Sequence, residues 1–185
     1  LIHSFHEEYP DISMEIFQGT YDDVVYWIKN GVVDVGFLSV SSAADIPIEP
    51  LYKDPLLCVV QKGRRTSKEP MSIEEMKNCQ FVTQRESTDA DIQNFMKENH
   101  LDVRSSYHVV DDLSTVVMVA NGFGICLMPE MVMKDIPYEV DCFPVKPDAC
   151  RIIGIAALNP DNMAPAVRTF YNRVLAMYQQ EEYVK

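Results

Sequence analysis

The sequence predicts a layered α/β fold, and three observations carry that prediction. Short apolar runs with strand periodicity alternate with segments whose apolar residues recur at helical spacing. The junctions between them hold Gly, Pro, Ser, Thr and Asp, residues that end strands, cap helices and set turns. The composition is that of a globular domain: 185 residues, 47% hydrophobic and 24% charged, enough to bury a substantial core. Disorder, collagen-like repeats and coiled coils do not fit that composition.

Residues 1–9 read as the end of an amphipathic helix, with Ile2, Phe5 and Tyr9 in helical rhythm and Pro10 closing it. SMEIFQG (13–19) alternates as a strand does. From Thr20 to Asn30 the spacing of Tyr21, Val24, Val25 and Ile28 predicts a helix, which Gly31 ends. VVDVGFL (32–38) reads as a buried strand of the parallel-sheet kind. IEPLY and DPLLCVVQKG (48–63) read as two strands separated at Asp54-Pro55. The basic segment GRRTSKEP (63–70) reads as a solvated linker. A short helix (72–78), a strand (80–83) and a helix after Ser87-Thr88 with Ile92, Phe95 and Met96 inward come next. A strand (106–110), a helix from Leu113 to Asn121, a strand (124–128) and a short helix from 130 to 134 follow. Strands over 138–147 and 150–158 and a long helix over 163–180 complete the chain. Alternation of this kind builds right-handed βαβ units.

Charge and cysteine content narrow the function. With 28 acids against 16 Lys and Arg, a net charge of −12, the chain repels a phosphate backbone and an anionic membrane face. No uncharged apolar stretch is long enough to span a bilayer, and no signal peptide opens the chain. The chain starts with Leu1 inside an element and reads as a fragment of something longer. Cys58 and Cys126 sit in apolar runs as small buried hydrophobes, and the spacing of cysteines and histidines makes no metal site. Nucleophile-elbow, phosphate-loop, zinc-protease and dinucleotide motifs are all missing, so neither catalysis nor a cofactor is expected. The carboxylate pairs Asp22-Asp23, Glu74-Glu75 and Asp111-Asp112 lie at helix starts, where capping explains them better than acid–base chemistry. What remains is architectural. The Gly19-Thr20 turn, the Gln84 to Thr88 loop and the Asp112 to Ser114 turn each lead from a strand into a helix, the place where α/β sheets bind small ligands.

Three segments, in this order, resemble the effector-binding domain of LysR-type transcriptional regulators. FHEEYPDISMEIFQGTYDDVVYWIKNGVVDVGFL (5–38) is similar to the family's helix, strand, Gly-Ser/Thr turn, helix and G-x-(V/L)-D-x-(G/A) strand. EPLYKDPLLCVV (49–60) looks like its paired crossing strands, and VVMVANGFGICLMPEMV (116–132) like its V-x-x-G-x-G-(I/V)-x-x-L-P segment. The resemblance implies a two-lobed α/β fold of the periplasmic-binding-protein type 2 class: two Rossmann-like subdomains joined by two hinge strands. Subdomain I would be residues 1–61 with 146–185, and subdomain II residues 62–145. It also implies elements ahead of Leu1: a winged helix-turn-helix, a linker helix and the first strand of subdomain I, without which SMEIF and VDVGFL lack a shared partner.

Carried over by position, the resemblance places effector contacts at Gly19, Thr20, Ser39, Thr83, Gln84, Arg85, Ser87, Thr88, Gly122 and Phe123. Thr20 and Ser87 serve equally as plain N-caps, and Arg85 is the one cation in these loops. The sequence departs from the family in the acids that follow: Asp22, Asp23, Asp89, Asp91, Asp111 and Asp112 partly cancel the positive helix ends. An amino acid or a neutral metabolite therefore suits the site as well as an organic acid. Tyr26 and Trp27 lie off the core face of their helix and mark a dimer interface. The implied protein is a bacterial cytoplasmic regulator, a homodimer or tetramer, that meets DNA only through its N-terminal domain. A transporter's solute-binding protein and a dehydratase-type enzyme share the scaffold and stand as alternatives.

Overall fold

A computed structural model describes residues 1–84, 90–103, 105–109 and 111–179. The chain divides into two compact units, Leu1–Lys53 with Ile152–Lys185, and Asp54–Arg151. It crosses between them twice, inside two long strands.

In the first unit, α1 (Ile2–Glu8) and α2 (Tyr21–Lys29) precede strand β1 (Gly36–Ser39) and the long strand β2 (Ile48–Gln61), whose first part belongs here. α2 starts where its cap is: the Thr20 hydroxyl accepts from Asp23 N–H, and the Asp23 carboxylate accepts from Thr20 N–H. It stops at a Schellman motif, with Gly31 at φ +67 and bonds from Gly31 N–H to Ile28 and from Val32 N–H to Trp27. α2 lays Val24 and Ile28 over Gly36, where a Cβ would fall 2.9 Å from the Ile28 side chain. Ile28, Leu38, Ala43, Ile46 and Ala156 form the core on that side. Leu51, Ile155, Tyr171 and Val174 form a second core under the last helix, and Phe5 of α1 stands edge-on to Phe170.

In the second unit, β2 continues and is followed by β3 (Met71–Ser72), α3 (Ile73–Lys77), β4 (Phe81–Gln84), α4 (Ala90–Glu98) and β5 (Ser105–Val109). Next come α5 (Asp112–Ala120), β6 (Cys126–Pro129), α6 (Glu130–Met133), β7 (Val140–Lys146) and the start of β8 (Cys150–Ala156). β8 ends in the first unit, and α7 (Pro165–Gln179) follows it there. β2 pairs antiparallel with β6 and β7, whereas β3–β7 and β4–β5 are parallel. Alternation along β2 divides the core by face. Leu56, Cys58 and Val60 join Phe81, Ile92, Phe95 and Phe143 on one side. Val59 joins Val82, Val116, Val119 and Met128 on the other. The mixed α/β class is as expected from the alternation of elements.

Three local expectations are corrected. Residues 13–19 form no strand: no described strand pairs with them, and Ile16 is 69% exposed. A strand pattern without a partner cannot satisfy its backbone by pairing. The expected strand 32–38 shortens to β1, which pairs antiparallel with β8 (Gly36 opposite Ala156) rather than in parallel. The break at Asp54-Pro55 does not occur. β2 runs through it because the β6 ladder begins at Leu56 and the β7 ladder at Leu57, both past Pro55 with its missing N–H. The GRRTSKEP segment is mostly exposed, as expected of a solvated linker, and is anchored through Arg65, which pairs with Glu75, donates to the Ser67 and Glu69 carbonyls and lies 4.6 Å over the Phe143 ring.

Candidate ligand site

The site is built at helix starts, one unit at a time. In the first unit, Gly19 and Thr20 lead into α2. A Cβ at Gly19 would fall 2.6 Å from the Trp27 ring, so the close approach of the indole requires glycine here. The Thr20 hydroxyl is engaged twice: it donates to Asp23 Oδ2 at 2.7 Å and accepts from Asp23 N–H at 3.2 Å. That hydroxyl, with the Thr20 N–H behind it, holds the Asp23 carboxyl below its ordinary range. Ser39, at the end of β1, is fully buried and its hydroxyl lies 3.0 Å from that of Ser41.

In the second unit, Thr83 and Gln84 end β4. Thr83 Oγ1 lies 3.0 Å from His108 Nδ1, and the Gln84 amide donates to Asp112 at the start of α5. Asp111 caps α5 by accepting from Ser114 N–H at 2.8 Å, and this bond holds its carboxyl low. The ends of β4 and β5 and the start of α5 are thus joined by side chains. Gly122 and Phe123 are not brought to that end. They close α5 at its C-terminus in a Schellman motif, with bonds from Gly122 N–H to Val119 and from Phe123 N–H to Met118. Phe123, 45% exposed, stacks edge-on against Tyr107 at 5.3 Å. Arg85, Ser87 and Thr88 lie outside the described residues.

Of the residues marked for an interface, Tyr26 is 61% exposed, while Trp27 is half-buried against Phe17 and Gly19. Sequence reasoning missed His108. Its position one residue past Tyr107 in a strand places it on the face opposite that ring, a signal present in the alternation alone. It also missed Asp54, a buried carboxylate that accepts from Met131 N–H and from Arg151 Nε and Nη2, each at 2.9 Å.

These arrangements present hydroxyls, amides, carboxylates and the His108 imidazole, groups that hydrogen-bond a small polar ligand. The family model for the LysR substrate binding domain matches residues 1–179. The chain belongs to this family. It is the effector-binding regulatory domain of LysR-type regulators.

Among curated relatives, the HTH-type transcriptional regulator YoaU of Bacillus subtilis is 23% identical over 176 residues, covering 91% of this chain and 58% of the relative. The transcriptional dual regulator GltC of the same organism is 23% identical, covering 98% of this chain and 63% of its own. The LysR domain described here therefore spans about six-tenths of their length. Among solved structures, the Synechocystis PCC6803 CcmR regulatory domain in complex with 2-PG superposes with a TM-score of 0.87 at 16% identity, covering 97% of this chain and 90% of that one. The effector binding domain of QuiR in complex with shikimate gives 0.83 at 22% identity, covering 97% and 89%. No helix among the described residues is long and apolar enough to cross a membrane.

Proposed function

We propose that this LysR domain binds a small polar effector at the helix starts of its two subdomains, residues 1–61 with 146–185 and residues 62–145, which β2 and β8 connect as hinge strands. Effector binding shifts the population of states available to a DNA-binding domain elsewhere in the full-length, cytoplasmic regulator. The contacts would come from the Gly19-Thr20 turn, from Thr83 through Thr88 and from Ser39, with Gly122 and Phe123 bordering the ligand from the C-terminal end of α5. Tyr26 and Trp27 would lie at a homodimer interface. The ligands named with CcmR and QuiR, 2-phosphoglycolate and shikimate, set the size class: small, oxygen-rich metabolites.

The observation that carries the reading is the start of α2. Asp23 Oδ2 takes both the hydroxyl and the N–H of Thr20, so an entering ligand meets a carboxylate at the helix N-terminus. That favours an effector offering an amine or hydroxyl over a dianion. A thermal-shift screen of amino acids, polyols, shikimate and 2-phosphoglycolate tests this. A zwitterionic or hydroxylated ligand is expected to raise the melting temperature, by about 2.7 kcal/mol of stability at a hundredfold excess over Kd. Thr20→Val should abolish the shift. Indifference to every class, or a response to the dianion alone, overturns the proposal.

A further inference from the structure

We propose that unit Asp54–Arg151 holds a second small-molecule site, for the zwitterion of an aliphatic α-amino acid, in the cavity between α4 and the β4–β5 sheet. The cavity measures about 420 Å³ and is lined by Met96, Lys97, His100, Leu101, Asp102 and His108, among others. That volume falls in the usual range of small-molecule sites, roughly 300–1,000 Å³.

Its chemistry is two-signed. Lys97 supplies an ammonium and Asp102 a carboxylate, and among the described residues neither has an ion-pair or side-chain hydrogen-bond partner. In a chain of net charge −12, a wall that balances one cation against one anion favours neither a simple acid nor a simple amine. A zwitterion uses both: its carboxylate meets Lys97 and its ammonium meets Asp102. Met96, Leu101 and Val103 give the apolar wall for a hydrocarbon side chain.

His108 adds a third contact. Thr83 Oγ1 lies 3.0 Å from His108 Nδ1 and 3.4 Å from the Tyr107 carbonyl. In the tautomer whose Nδ1–H donates to Thr83, Nε2 is an acceptor and suits an ammonium N–H. His100 closes α4 at φ +48, where the matching positions after α2 and α5 are glycines, so its imidazole is kept at the cavity wall on a left-handed backbone that favours glycine.

The site does not rest on the effector reading of the preceding section; the cavity shares Thr83 and Gln84 with the contacts proposed there, so the test separates the two by residues that only one of them uses. Backbone amide shifts of the 185-residue chain are followed by NMR while L-leucine is added, with 4-methylpentanoate and 3-methylbutylamine as probes that each lack one charge. Leucine is expected to move the amides of residues 96–103 and 108. Each single-charge probe, and leucine on Lys97→Ala or Asp102→Asn, should bind at least about tenfold more weakly. Absence of shifts at about 10 mM leucine, equal binding of either probe, or unchanged binding to Lys97→Ala overturns the proposal. Leucine shifts confined to residues 19–24 assign the amino acid to the effector site instead, and also overturn it.

Discussion

Asp54 shows how much one side chain can determine. It has no solvent exposure, and its two oxygens accept from Arg151 and from Met131 N–H. Buried and fully bonded, such a pair contributes little net stability relative to an apolar pair, but removing one member strands the other. Asp54→Ala is therefore expected to lower the unfolding free energy by about 3–5 kcal/mol in a urea titration. Asp54→Leu combined with Arg151→Met should recover most of that loss. A double variant as unstable as Asp54→Ala would show that the cost lies in packing rather than in the orphaned guanidinium. Nothing local in the sequence signals this pair, because its members stand 97 residues apart. Thr20 is the opposite case: its partner Asp23 is three residues away, and the cap could be read directly.

The same contrast between local and distant partners governs which elements were legible. Helix starts were, since Thr20, Ser72 and Asp111 each bond an N–H within their own first turn. Helix ends at Gly31 and Gly122 were too, for the same reason. The segment 13–19 was misread because a strand exists only with a neighbour, and alternation does not supply one. Pro55 was misread because whether a proline breaks a strand depends on which side the ladder lies. At the candidate site, the Thr20 cap could be read from its neighbours, but the Thr83–His108 and Gln84–Asp112 contacts join residues far apart in sequence. The three caps carry a pH dependence. Asp23, Glu75 and Asp111 are held below their ordinary pKa, chiefly by the Thr20 hydroxyl, the Ser72 N–H and the Ser114 N–H respectively. A carboxyl depressed in the folded state stabilises it fully above the unfolded value, near about 4, and loses that effect as pH falls through the lower folded value. The melting temperature should thus fall across that acid window. The triple variant Asp23→Asn, Glu75→Gln, Asp111→Asn should melt lower at neutral pH and fall less steeply in acid. An unchanged acid limb would assign the dependence to other carboxylates.

At the scale of the whole molecule, charge and association pull against each other. A chain of net charge −12 repels its own copy as it repels DNA, so any self-association must come from apolar contact. Tyr26 on α2, with Ile16 and Phe17 of the unpaired segment, supplies exposed apolar surface in the first unit. Trp27 differs from Tyr26, since it packs on Gly19 and Phe17 inside its own chain and contributes to folding as well. If the proposed homodimer forms through this surface, raising the ionic strength screens the repulsion and tightens it, whereas salt bridges across an interface would weaken. Sedimentation of the isolated domain should show a dimer that strengthens with added salt. Tyr26→Asp should shift it to monomer without lowering the melting temperature, while Trp27→Ala should lower the melting temperature as well. Association that weakens with salt, or that survives Tyr26→Asp, would place the interface elsewhere and make it polar.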